Sequence, residues 1–268
     1  MVIGNPSACY AFNDLRDAQA DRLHPRKRRR PIAAGLVSPA AAVRLAVVML
    51  ALSALCVALA MLPRWLDVAG LSAPSGQTVL GLGVLVGLYV LNTTAYSIWF
   101  KHHAVLDVMS LSLGFVLRVL GGCAAAGVTP SPWLLNVTFF LSMFLAFGKR
   151  LGERRTMGSA EAAGAARPVQ QAYTDELLRM TVVVTAVAAL LTYAGYVQSQ
   201  VIARGLDGID VLWFTVLPAT YGLLRSIVLL ERGLYDDPTE LAARDRHCQM
   251  AAVIFVVLTA ASFAQRAG

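Results

Sequence analysis

Seven long apolar runs divide the chain, at roughly 38–62, 78–97, 104–127, 131–148, 179–200, 209–230 and 248–265. Each comes close to the about 20 residues a helix needs to cross a hydrocarbon core. Together they predict seven transmembrane helices. Residues 1–12 are apolar but too short to span, and they read as the last turns of a further helix, bent at Gly4-Asn5-Pro6. No basic stretch precedes them in the manner of a cleavable signal. Between the runs lie polar segments punctuated by proline and glycine. Pro25 and Pro31 bracket a loop, because proline disfavours helix in the residue before it. Gly35 then gives a stop, and Ser38-Pro39 a new helix start.

Composition agrees. With 57% hydrophobic residues, 15% charged and a mean hydropathy of +0.61, the chain is too apolar for a soluble domain of 268 residues. Fold class is therefore all-α and integral to a membrane, as one polytopic domain over 1–268. Cys9, Cys56, Cys123 and Cys248 stand singly in apolar segments, without metal spacing. Counted by alternate loops, 17 Lys and Arg fall on one side of the membrane, and Arg64 and Arg204 on the other. Cytoplasmic loops carry the excess of these residues, so the 13–37 loop is expected at the cytoplasmic face of a bacterial-type inner membrane. The net charge of +7 thus reports topology, and no nucleic-acid partner is expected.

The 13–37 loop is also where chemistry concentrates. Asn13 and Asp14, then Asp17 and Asp21, are followed by the basic run Arg26-Lys27-Arg28-Arg29-Arg30. At about 100° per residue the three aspartates fall within about 60° of one another on a helix. Like charges on one face are tolerable around a divalent cation, and Mg²⁺ is the usual ion where carboxylates and substrate phosphates share it. Within the 104–127 run, Asp107, Gly114 and Arg118 lie on one stripe, with the two charges about 16 Å apart along the axis. Charges inside a span mark a cavity or substrate path by default, the plain alternative being ion pairs between helices. Arg225 invites the same two readings. Tyr96, Trp99, Lys101, His102 and His103 end the 78–97 run, as an interfacial belt with a snorkelling lysine or as substrate contacts. Lys149 and Glu153, four apart beside Arg150, could pair along a helix face. Residues 156–178 are expected as a loop with a short helix over the site.

Asn13-Asp14-x-x-Asp17-x-x-x-Asp21, followed by His24-Pro25-x-Lys27-Arg28-x-Arg30-Pro31-Ile32-Ala33-x-Gly35, resembles the first signature of the UbiA-type membrane prenyltransferase superfamily. That resemblance implies a bundle of nine spans around a central cavity. Here there are seven full spans and a partial amino-terminal helix, so the first one to two helices of the family are expected to be absent. A second aspartate-rich loop normally completes the family's Mg²⁺-diphosphate site. This chain has Gly148-Lys149-Arg150-x-x-Glu153 instead, which is similar to the decaprenyl-phosphate phosphoribosyltransferase branch. Tyr96 to Lys101 with His102 and Asp107, Gly114-Phe115-x-x-Arg118 with Gly121-Gly122, Arg167, Tyr173-Thr174, Arg225, Pro238-x-Glu240 and Arg244-Asp245-Arg246 agree with that branch.

The resemblance implies an enzyme that moves 5-phosphoribosyl from phosphoribosyl pyrophosphate to a polyprenyl phosphate of decaprenyl type. Mg²⁺ would be held by Asp14, Asp17 and Asp21, with Asn13 orienting them. Lys27, Arg28 and Arg30 would face the leaving group, and Tyr96, Lys101, Arg118, Lys149, Arg150 and Glu153 the rest of the substrates. A homo-oligomer is compatible with this reading. The alternatives are a prenyltransferase using an aromatic or quinone-type acceptor, and a transporter or non-catalytic membrane protein.

Overall fold

A computed structural model describes residues 14–15, 18–19, 22, 29–66, 76–157, 168–203, 210–235 and 238–264. Among them the chain is helical, without strands. The helices are α1 (Pro39–Leu66), α2 (Gly76–Ile98), α3 (Leu106–Ala126), α4 (Pro132–Met157), α5 (Asp175–Ala203), α6 (Val211–Phe214), α7 (Val216–Glu231), α8 (Pro238–Arg244) and α9 (Arg246–Ala264). Short 3-10 turns occupy Phe100–His102 and Pro168–Ala172. Every expected apolar run falls on a helix. Six of the described stretches are long and apolar enough to cross a membrane, and α1 adds the apolar stretch Pro39–Met49. Leu91, Leu191, Leu217 and Val256 are all at least 60% exposed. Apolar side chains turned outward in such number suit a solvent of lipid rather than water.

Local chemistry sets the helix starts. Ser38 and Ser131 each stand before a proline, and their hydroxyls accept from the Ala41 N–H (3.2 Å) and the Trp133 N–H (3.2 Å). A serine cap satisfies an orphan donor, and proline at the first helical position loses none. Asp210 caps α6 through the Leu212 N–H, at 3.0 Å. Gly35 ends the preceding turn with φ +76°, a conformation glycine adopts without a Cβ clash.

α4 runs past its apolar stretch to Met157, so Lys149, Arg150, Glu153, Arg154 and Arg155 all ride on a helix, as the Lys149–Glu153 spacing allows. One expectation needed correction. The 209–230 segment is two helices, broken at Thr215. Pro218 has no N–H to donate to the Phe214 carbonyl, which removes the bond that would have joined them.

The helices group into two compact units, residues 1–102 with 113–130, and residues 103–112 with 131–268. In the second unit α4 packs along α5, and α9 along α7. Its core gathers Phe144, Phe147, Leu151, Tyr173, Val182 and Leu230. A smaller cluster, Val197, Val201 and Leu212, sits under Tyr193 and Tyr196.

Candidate active site

Asp14 and Arg22 are helical. Asn13, Asp17, Asp21, Lys27 and Arg28 lie outside the described residues, as does Arg167. Arg30 folds back across the loop, its Nη1 donating to Asp14 Oδ1 at 2.7 Å. Arg22 Nε donates to the Ala33 carbonyl at 3.3 Å. The basic end of the loop is thereby brought against its acidic beginning. Both partners of the Asp14–Arg30 pair keep a substantial part of their surface open. Asp14 thus presents a partly exposed hard-oxygen donor beside a guanidinium that suits phosphate, which fits an Mg²⁺-phosphate site. Among the described residues no group of three or more His, Cys, Asp or Glu could hold a metal.

Lys101 lies in the 3-10 turn that follows α2, half-buried, and Tyr96 is half-buried on the last turns of α2. Arg118 belongs to the same unit. Its Cζ sits 4.7 Å from the centre of the Phe115 ring and 5.4 Å from that of Tyr89.

In the other unit, the basic end of α4 is organised around Asp107, which is fully buried. Arg150 Nε and Nη2 donate to its Oδ2 at 3.2 and 3.1 Å, and the Tyr173 hydroxyl donates to its Oδ1 at 2.6 Å. The same hydroxyl accepts the Val105 N–H at 2.6 Å. Val105 has φ +68°, a strained setting for a β-branched residue. Burial first, and then the Asp107 carboxylate, push the Tyr173 phenol far above its ordinary value. The tyrosine therefore stays protonated and remains a donor to Asp107.

Arg150 was expected at a substrate phosphate. It is 1% exposed, with its guanidinium turned inward onto Asp107. Glu153 is also buried and accepts from Gln170 Nε2 at 3.2 Å; the same amide donates to the Arg150 carbonyl. Lys149, next to Arg150, is half-buried. One turn on, Arg154 Nε reaches Asp175 Oδ1 (2.9 Å) and Arg155 bridges Asp175 and Glu231 at 3.0 and 3.1 Å. Arg225 holds Asp245 at 2.9 Å, and the Cys248 N–H donates to the same carboxylate. The Arg225 guanidinium beside it holds Asp245 down to about 2. Ion pairs between helices, the plain alternative for Asp107 and Arg225, are thus what the structure contains. Local sequence carries no sign that Gln170 and Tyr173 complete the Asp107 cluster, since their partners lie 17 to 68 residues away.

The sequence model of the UbiA prenyltransferase family matches residues 3–244. The decaprenyl-phosphate phosphoribosyltransferase of Mycolicibacterium smegmatis is 34% identical over 257 residues, covering 91% of this chain and 72% of that protein. The enzyme of the same name from Mycobacterium tuberculosis is 33% identical over 263 residues, covering 96% and 78%. That from Corynebacterium glutamicum is 34% identical over 253 residues, covering 93% and 70%. With its helices, its amino-terminal signature and these relatives in agreement, the chain belongs to the UbiA prenyltransferase family of integral membrane transferases.

Proposed function

We propose that this protein transfers 5-phosphoribosyl from phosphoribosyl pyrophosphate to a polyprenyl phosphate of decaprenyl type, releasing pyrophosphate. The observation that carries the reading is Lys149-Arg150-x-x-Glu153 at the end of α4, where the family's second acidic motif is expected. The relatives named decaprenyl-phosphate phosphoribosyltransferase support it. A prenyl diphosphate has one anionic end, whereas the phosphoribosyl donor carries a second phosphate on C5 that needs cations of its own.

Asp14, Asp17 and Asp21 would hold Mg²⁺, with Asn13 orienting them. Bound there, Mg²⁺ supplies charge stabilisation to the diphosphate leaving group. Lys27, Arg28 and Arg30 would neutralise that leaving group, Arg30 exchanging its contact with Asp14 for a phosphate oxygen. Lys149 takes the 5-phosphate, with Lys101 and Tyr96 beside the substrate. Arg150 enters as a positioning residue: tied to Asp107, it fixes the turn of α4 that carries Lys149. Glu153, tied to Gln170, fixes the turn after it. The bond from C1 to the diphosphate oxygen breaks as the acceptor phosphate oxygen bonds to C1 from the opposite face. A phosphate monoester is largely dianionic at neutral pH, so no strong base is required. Catalysis then rests on positioning and charge. The whole of 1–268 acts as one catalytic domain in the inner membrane, with the Lys- and Arg-rich loops cytoplasmic.

Membranes containing the protein, given labelled phosphoribosyl pyrophosphate, Mg²⁺ and a polyprenyl phosphate, should yield a labelled lipid. Asp17→Ala should abolish that product with membrane insertion intact; retained turnover removes Asp17 from the metal site. Membership of a prenyltransferase family favours a second reading, prenyl transfer, here to an aromatic acceptor. No labelled lipid, together with prenylation of such an acceptor from a prenyl diphosphate, would decide for it.

A further inference from the structure

Arg118 is the one arginine embedded in a span for which the described residues provide neither a carboxylate nor a hydrogen bond. Arg150, Arg154 and Arg225 are held by Asp107, Asp175 and Asp245. Arg118 instead lies over the Phe115 and Tyr89 rings, with its Nε buried and without a hydrogen-bond partner. Aromatic faces attract a guanidinium but give its N–H groups no lone pair along the fork. An ionised group within a span that lacks a partner marks a ligand path.

Its place says which ligand. Arg118 is eleven residues beyond Asp107 on α3, about 16 Å deeper along the axis. Helical side chains lean toward the amino terminus, and contact with Phe115, three residues back, shows that this one does. That lean carries the fork part of the way back toward the Asp107 end, and it stays within the span, between α2 and α3. Leu88 and Leu91 on α2 and Leu113 and Phe115 on α3 are exposed and apolar. A sugar diphosphate would have to shed the water around all its hydroxyls to reach such a depth. A lipid phosphate brings its own apolar tail and needs only a cation for its head. The guanidinium fork matches phosphate in two-pronged fashion.

We propose that Arg118, on its shelf of Tyr89 and Phe115, is the receptor for the phosphate monoester of the lipid acceptor. This rests on the phosphoribosyl-transfer reading, and it identifies which substrate Arg118 holds. The sugar 5-phosphate offers the same chemistry and is separated from the lipid by the test.

Purified full-length protein in detergent is titrated with farnesyl phosphate, farnesol and phosphoribosyl pyrophosphate, with thermal midpoints recorded alongside. Wild type should prefer farnesyl phosphate to farnesol. Arg118→Gln should weaken farnesyl phosphate by about tenfold or more, the worth of a charge-assisted contact, and leave farnesol and phosphoribosyl pyrophosphate unchanged. Arg118→Lys should retain part of the preference. The midpoint of the Gln variant should hold or rise, since a charge for which the described residues give no carboxylate has been removed from the span. Equal weakening of farnesyl phosphate and farnesol with a lowered midpoint makes Arg118 structural and overturns the proposal. So does unchanged farnesyl phosphate binding, lost binding of phosphoribosyl pyrophosphate alone, or a wild type indifferent to the phosphate. A preference for farnesyl phosphate that depends on Arg118, in a protein that makes no phosphoribosyl lipid, supports the receptor and counts against the donor.

Discussion

Asp107 is the residue on which the basic end of α4 depends. Its carboxylate is fully buried and takes three donated hydrogen bonds, two from Arg150 and one from Tyr173. Asp107→Asn leaves a buried guanidinium without its counter-charge. Loss of one partner of such a pair costs about 3 to 5 kcal/mol, whereas replacing both by apolar groups is often neutral. Asp107→Asn should therefore lower the midpoint of denaturation in detergent strongly, and pairing Asp107→Leu with Arg150→Met should recover most of the loss. If the single variant is as stable as wild type, the pair does not hold the end of α4. Asp245 makes a different prediction. Its folded value is held near 2 by Arg225, below the ordinary carboxylate value of 3.8. The pair's stabilisation is thus fully present above about pH 4 and is lost as pH falls from about 4 toward 2. A pH series of thermal midpoints should show a fall in that window that Asp245→Asn shows much more weakly.

At the scale of elements, the apolar runs made all seven long segments legible, because a span must satisfy its backbone within itself and keep its exterior oily. Their ends were less legible. α4 outlasts its apolar run by nine residues, since Arg150, Glu153 and Arg154 stay helical while binding Asp107, Gln170 and Asp175. Tertiary partners of that kind leave no trace in local composition. Pro218 was visible throughout, yet its effect falls one turn earlier, at Thr215. The acidic stretch was legible as a motif, but the Asp14–Arg30 contact joins residues sixteen apart in a loop without periodicity. Packing between α4 and α5 is equally specific. Near the far end of α5, Gly195 leaves room for the Trp133 ring from the start of α4, and a methyl group there would overlap that ring. Gly195→Ala should destabilise by about 1 to 3 kcal/mol, as overpacking does. Trp133→Leu in the same chain should relieve most of the loss, measured as unfolding in a common detergent.

For the molecule as a whole, Arg118 bears on biogenesis. α3 must enter the bilayer with an arginine at the thirteenth of its 21 positions. At a helix centre that costs about 2.5 to 3.5 kcal/mol on insertion scales. Its nine Leu, Val and Phe residues return a few tenths of a kcal/mol each, and the Gly121-Gly122-Cys123-Ala124-Ala125-Ala126 end adds little. Alone, α3 stands near balance between crossing and slipping back. α2 tips it, because Tyr89 offers the arginine a ring that lipid tails do not. Placed alone in a glycosylation-mapped insertion reporter, α3 should divide between inserted and translocated forms. Arg118→Leu should insert fully, and α2 with α3 in tandem should restore insertion of the natural sequence. A ligand site of this kind is thus fitted to the membrane by its neighbour before any substrate arrives.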